Sequence, residues 1–252
     1  MKFHQFFGLA LAVVTFAASL PARAEEPARP RGVVELFTSQ GCNSCPRADS
    51  YLGELAQRGD VVALAFHVDY WDYLGWNDTL ASAANTDRQS DYAAAFGLHS
   101  VYTPQVVLNG RAHFKGSNRS EIEASLATME TDGMGMAVDV SIHQGADSLI
   151  IETGAATHGK GKANVLLVFY EPRTEVDITR GENAGKTMTY WNAVSGVQAA
   201  GRWHGQKTRL EIPDTELKKK GSRGCAVLLQ AVRKDGKPGP IIGAAILARP
   251  SS

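Results

Sequence analysis

Hydrophobic and polar positions change their period part-way along the chain. The apolar run Val33–Phe37 is followed by a polar turn, a helical pattern over about Asn43–Gln57 and a second apolar run, Val61–Val68. Short apolar runs bounded by turn residues predict buried strands, and a strand–helix–strand unit predicts parallel strands joined by a right-handed crossover. The aromatic and Asp-rich stretch Asp69–Asp78 predicts a loop, and helical composition then runs to Phe96, stopped by Gly97. Val106–Leu108 and Arg111–Lys115 flank Asn109-Gly110, a pair suited to a tight hairpin turn. Asn118 with Glu121 three positions on forms a capping-box pattern that opens a helix to about Met129. The predicted order is β-α-β-α-β-β-α over residues 33–131.

Thr131–Gly135 then predicts a linker, beyond which the period becomes two. Met136, Val138, Val140 and Ile142 alternate with Ala137, Asp139, Ser141 and His143, the pattern of a half-buried strand. Leu149–Glu152, Asn164–Tyr170, Lys207–Ile212, Ala226–Arg233 and Ile241–Leu247 are further strand candidates. Several short strands with no clear helix predict a separate all-β, sandwich-like C-terminal domain over residues 136–249. Cys225 alternates with Val227 and Leu229 and is expected to pack inward as a small apolar group.

The first residues read as an address. Lys2 and His4 precede an apolar run, Phe6–Leu20, and Pro21-Ala22-Arg23-Ala24 supplies a small-x-small end. This describes a secretory signal over residues 1–24, cleaved after Ala24, with residues 25–32 as a polar leader. The apolar run is about 15 residues, short for a bilayer span, and no other stretch is apolar enough for one. The mature chain is therefore expected to be periplasmic or secreted, with no stable membrane span after cleavage. Composition narrows the classes further: 44% of residues are hydrophobic, which excludes a disordered chain, and three cysteines cannot staple a disulfide scaffold. Twenty-six basic and 26 acidic residues cancel, leaving no bulk field for nucleic acid.

The strongest chemical signal is Gly41-Cys42-Asn43-Ser44-Cys45-Pro46, at the junction of the first strand and the first helix. Two intervening residues bring both sulfurs into the first helical turn. The free N–H groups and positive dipole end of a helix favour thiolate over thiol. Lowering a thiol pKa from about 8.5 to about 7 needs roughly 2 kcal/mol. Pro46 suits an early helical position, where its missing donor costs little. Cys42 is then the nucleophile and Cys45 the resolving thiol of exchange with a protein or small-molecule thiol or disulfide. Zinc sites also use this spacing, but only Cys225 remains, so a four-thiolate site is excluded and neither a metal nor a cofactor is expected.

Two alternatives stay open. Reduced Cys42 and Cys45, with His67, would suit a metal-binding or metallochaperone module. A noncatalytic interaction protein with a structural disulfide is the other, although so small a loop gains little entropy from closure.

Other residues converge on the same place. Thr103-Pro104 precedes a hairpin strand expected beside the first strand; in cis, it would turn the Thr103 backbone towards the cysteines. His67 and Asp69, at the end of the second strand, are expected on the same edge as Cys42, His67 as a proton shuttle or a hydrogen-bonded structural residue. Trp71 and Trp76 in the following loop are expected to recognise substrate or to pin the loop to the core. Gly181–Thr187 is one residue short of a phosphate loop and reads as a loop between strands, docking the two halves.

Taken together, Glu35–Cys42, Cys45-Pro46, His67–Asp72, Tyr102–Gln105 and Arg180–Lys186 resemble a secreted bacterial thioredoxin-like family called domain of unknown function 1223. The resemblance spans nearly the whole mature chain. It implies a thioredoxin-like α/β domain over residues 33–131 and, by motif, a redox role. Gly41 stands where thioredoxin has Trp, and Asn43-Ser44 where it has Gly-Pro. These positions influence redox poise, which leaves oxidation, reduction and isomerisation as alternatives.

Overall fold

In the computed structural model, which describes residues 29–156, 161–215 and 223–247, the two apolar runs of the first half become strands buried on both faces. These are β1 (Val33–Thr38) and β2 (Val62–His67), parallel and in register from Val33 opposite Val62 to Thr38 opposite His67. Helix α1 (Pro46–Arg58) makes the crossover. It starts at a proline and stops at Gly59, whose left-handed φ of 73° lets its N–H reach the Leu55 carbonyl. A short 3-10 turn (Asp72–Leu74) interrupts the loop before α2 (Ala83–Phe96), where the Ser82 side chain accepts from the Asn85 N–H. Strands β3 (Gln105–Leu108) and β4 (Ala112–Lys115) form the hairpin, with Asn109 and Gly110 both left-handed at its turn, and β3 lies antiparallel to β1. Helix α3 (Arg119–Thr131) follows. Asn118 is its N-cap residue, but its amide meets the Glu121 carboxylate rather than the helix backbone, so the expected capping box does not form.

The second half contributes β5 (Val140–Gln144), β6 (Ser148–Thr153), β7 (Ala163–Ile178), β8 (Lys186–Trp203), β9 (Thr208–Pro213), β10 (Gly224–Val232) and β11 (Pro238–Ile246). Here the expected fold class fails. A thioredoxin-like domain followed by a separate all-β sandwich would keep two sheets apart. The structure instead has one mixed eight-stranded sheet, ordered β11-β10-β7-β8-β2-β1-β3-β4, and a small sheet, β5-β6-β9. The join is β2 with β8, parallel, Ala65 opposite Ala193. The physical reason is the outer edge of β2: a strand with no exposed face must have its backbone groups paired by protein, and β8 does this. The predicted signal segment, residues 1–24, and the last residues of the expected C-terminal domain, 248 and 249, lie outside the described residues. Among the described residues no helix is long and apolar enough to cross a membrane.

Side chains confirm the merger. On one face, α2 packs Tyr92 against Phe37 of β1 and Leu64 and Phe66 of β2, in a cluster that continues into Val168, Val194, Leu228 and Ile241 of the second half. On the other face, α1 and α3 cover Val34 and Leu36 of β1 and Ala63 and Ala65 of β2. The small sheet lays Ile142, Leu149 and Ile151 against Val165, Leu167, Cys225, Val227 and Leu229 of β7 and β10; Cys225 packs inward.

A buried polar knot crosses the same boundary. Glu35 of β1 accepts from Arg88 Nε at 2.8 Å and from the Tyr92 hydroxyl at 2.5 Å. Arg88 also donates to Gln230 of β10, whose amide donates to the Tyr92 oxygen. Arg88→Ala would leave the Glu35 carboxylate buried and uncompensated, a loss of about 3–5 kcal/mol. Urea unfolding of the intact chain should follow one transition, displaced as a whole by Arg88→Ala. Two transitions, only one of them displaced, would contradict a shared core.

Candidate functional site

The cysteine pair sits where β1 hands the chain to α1. Cys42 and Cys45 are joined in a disulfide with Cα atoms 5.4 Å apart. Cys45 is the N-cap residue of α1: its N–H donates to the Cys42 carbonyl and its own carbonyl accepts from Ala48 and Asp49. The Ser44 hydroxyl lies 3.4 Å from Cys42 Sγ. Asn43 and Ser44 are exposed, yet Cys42 and Cys45 retain only 1% and 0% of their accessible surface. The sulfurs are at the tip of the helix, but they are covered.

Two segments pack against the cysteine loop. The first is the loop after β2. Trp71 packs against Gly41, where an added Cβ would lie 3.1 Å from the Trp71 Cβ; this is why the residue before Cys42 has no side chain. Trp71 Nε1 donates to Thr103 Oγ1 at 2.8 Å, and the Thr103–Pro104 peptide is cis. Trp76 Nε1 donates to Gln40 Oε1 at 2.8 Å. The second segment is the turn between β7 and β8. Asn183, flanked by left-handed Gly181 and Gly185, donates to the carbonyls of Gln40 and Cys42 at 2.9 and 3.0 Å, and Lys186 Nζ holds its Oδ1 at 2.8 Å. Thr103, Trp71 and Trp76 thus gather around the cysteine loop. Asp69 does not: its carboxylate accepts from Thr86 of α2 at 2.7 Å. Asn183 was not singled out from the sequence, where the only signal was a polar residue held between two turn glycines.

Beneath the pair lies a set of buried polar side chains fixed by strand parity. Val34, Leu36 and Thr38 of β1, and Ala63, Ala65 and His67 of β2, share the face that α1 covers. Asp49, one helical turn beyond Cys45, accepts from the Thr38 hydroxyl at 2.7 Å. His67 Nδ1 pairs with Asp78 Oδ2 at 2.8 Å, and the same oxygen accepts from the Gln40 N–H at 2.7 Å. Tyr190 of β8 stands edge-on to the His67 ring, centroids 4.7 Å apart. Burial raises the Asp49 pKa to about 7, against the opposing pull of His67 and the Thr38 hydrogen bond. Burial alone would also raise Asp78, but His67 and the Gln40 and Leu80 N–H groups hold its carboxyl below the ordinary value. Burial pushes the Tyr190 hydroxyl up as well. Asp49 Oδ2 and His67 Nε2 are buried without a hydrogen-bond partner. Among the described residues no group of three or more His, Cys, Asp or Glu side chains is placed to hold a metal ion, and His67 is committed to Asp78 rather than to the sulfurs.

The chain is similar to an Agrobacterium tumefaciens protein of known crystal structure, with 45% identity and a TM-score of 0.80, covering 89% of this chain and 96% of that one. It also shares its fold with HBP35 of Porphyromonas gingivalis at 12% identity and a TM-score of 0.58, covering 88% of this chain and 76% of that one. No curated protein matches the chain. The family model described as protein of unknown function, DUF1223, matches residues 33–230, and the chain belongs to that family.

Proposed function

We propose that the chain is a thiol–disulfide exchange protein, with Cys42 as the attacking sulfur and Cys45 as the resolving one. Its client is a protein or small-molecule thiol or disulfide, met outside the reducing cytosol. One observation carries the reading: the two cysteines are paired at a strand–helix junction, three positions apart, at a helix N-terminus. A bridge closing so short a loop removes little freedom from the unfolded chain, so stability is a poor reason for it. The helix end and the Ser44 hydroxyl would favour a Cys42 thiolate. Thr103, Pro104, Trp71 and Trp76 would form the rim that a client meets, with Asp69 anchoring the loop's root to α2.

Exchange then requires the cover to open. Attack on Cys42 needs access to its sulfur, and the bonds to be released are those of Asn183 and Trp76 to the cysteine loop. Each is worth about 0.5–1.5 kcal/mol. Asn183→Ala removes two of them and should speed reduction of the pair by dithiothreitol roughly tenfold, read by alkylation and mass; an unchanged rate would show that this turn does not gate the sulfurs.

A structural clip is the second reading, favoured by the sealed sulfurs themselves. Equilibration in glutathione buffers separates the two. Exchange predicts a midpoint in the oxidoreductase range of roughly −120 to −270 mV, whereas a clip resists reduction below about −300 mV. In the Cys45→Ser variant, a mixed disulfide should accumulate on Cys42 with a thiol client. No adduct, together with a midpoint below that range, would leave only the clip.

A further inference from the structure

A cleft of about 590 Å³ opens beside the first turn of α1. Pro46, Arg47 and Ser50 of that turn form one wall, and Ser117, Asn118 and Arg119 at the head of α3 form the other. Gly116 lets the two walls approach. Its N–H donates to the Pro104 carbonyl at 2.9 Å, and an added Cβ would lie 2.9 Å from Leu36, 3.0 Å from Pro104 and 3.1 Å from Ala48. The cleft therefore begins where the chain leaves Cys45 on one side and Pro104 on the other.

Two arginines line this cleft and no acid does. Arg119 is held in place: its two Nη groups donate to Glu54 at 2.7 Å, and its guanidinium lies over the Tyr51 ring, 4.8 Å from the centroid. Arg47 is exposed and, among the described residues, takes part in no hydrogen bond or ion pair; the Ser50 and Ser117 hydroxyls are equally uncommitted. The acids of the same two helical turns are engaged elsewhere, Asp49 with the Thr38 hydroxyl and Glu121 with the Asn118 amide. A cation in the first turn of a helix is disfavoured by the positive end of the helix dipole, so helix stability gives no reason for Arg47. Sequences break such a local rule mainly where function requires it.

We propose that this cleft selects the client of the cysteine pair by binding a carboxylate, so that the preferred client is a thiol or disulfide with an acidic group a few bonds from its sulfur. The inference rests on the exchange reading and deepens it. Arg47 stands two residues beyond Cys45, about 3 Å further along the helix axis. When a client thiolate attacks Cys42 Sγ, the bond to Cys45 breaks, Cys45 leaves as thiolate with the bonding electron pair, and the client sulfur stays on Cys42. A carboxylate on that client then meets the Arg47 guanidinium and the two serine hydroxyls, donors whose bonds to an anion are strengthened by charge. Arg47 sets specificity: it touches the client's acid and not the reacting sulfurs. Asp72 and Glu182 belong to the two segments packed against the cysteine loop and do not line the cleft, so the attraction is local to the side between α1 and α3.

The test compares reduction of the full chain by an anionic thiol, 3-mercaptopropionate, and a cationic one, cysteamine. A second pair of reagents is two cysteine peptides that differ only in one neighbouring residue, Glu or Lys. Each rate is divided by the thiolate concentration and by the rate of the same reagent with hydroxyethyl disulfide, which removes intrinsic reactivity. The acidic member of a pair should react roughly three to five times faster at low salt, and the preference should fade in about 1 M salt, where screening acts within about 3 Å. Arg47→Gln should abolish it, whereas Arg209→Gln, the same change of charge on the small sheet, should leave it intact. Preference in the small thiols assigns a small acidic client, and preference in the peptides alone assigns an acidic polypeptide. No preference in either pair overturns the proposal, as does a preference that survives Arg47→Gln or falls equally in Arg209→Gln. These reagents reduce a disulfide whether or not it has a client. A preference beside a midpoint too low for an oxidoreductase would therefore sink the exchange function alone, and a midpoint in that range without a preference would sink the cleft alone.

Discussion

Strand β2 has no face open to water, so the backbone groups along its outer edge must be paired by protein, and the way β8 does so arranges everything around the cysteines. The ladder itself is short, Ala65 opposite Ala193, and side chains complete it. Asn192, in the left-handed region at φ 48°, donates to the Ala63 carbonyl at 2.8 Å. Asn85 of α2 donates to the carbonyls of both His67 and Val194. The left-handed backbone at Asn192 divides β8 into a portion beside β2 and an arm, still paired with β7, that packs on α1. Trp191 on that arm lies over Gly53, where a Cβ would come within 2.7 Å of the ring. A mid-helix glycine costs about 1 kcal/mol against alanine, and the close approach of Trp191 explains why one is kept. The arm's tip is Asn183 on the cysteine loop, and its Tyr190 stands against His67.

The second half of the chain is therefore not an appended module. It supplies half of the core around α2, the edge partner of β2 and one of the two segments that close over the disulfide. Separating it from the first half would expose the α2 face, unpair β2 and uncover the sulfurs together. The buried Glu35–Arg88–Gln230 contacts act in the same sense, because each partner is desolvated and each depends on an element from a different part of the chain.

What was legible in the sequence is what depends on local chemistry. The apolar runs of β1 and β2, the Asn109-Gly110 turn and the Cys42–Cys45 spacing each carry their own signal. Strand β8 carried none: Thr187–Trp203 shows no sustained alternation, because its two portions face different surroundings, with Asn192 between them and two register irregularities in its pairing with β7. The expectation of a separate all-β domain failed with it: the change of period at Met136 does open the small sheet with β5 and β6, but β7, β8, β10 and β11 then return to the sheet of the first half. Asn183 was hidden because its partners are backbone carbonyls 141 and 143 residues away. Asp49 was readable in principle, as its spacing from Cys45 and Leu52 puts it on the inward face of α1, but a carboxylate there conflicts with the expectation of an apolar core.

That conflict has a single physical source, the low polarity of the space under the cover. Burial away from water makes a charge costly there, which is what raises the Asp49 pKa. The fold buries both cysteines, with Trp71, Trp76 and Asn183 packed or bonded against the loop that carries them, and it places a carboxyl group of raised pKa one helical turn beyond Cys45. The burial of the sulfurs and the raised pKa of Asp49 therefore share one cause, the exclusion of solvent around the first turn of α1.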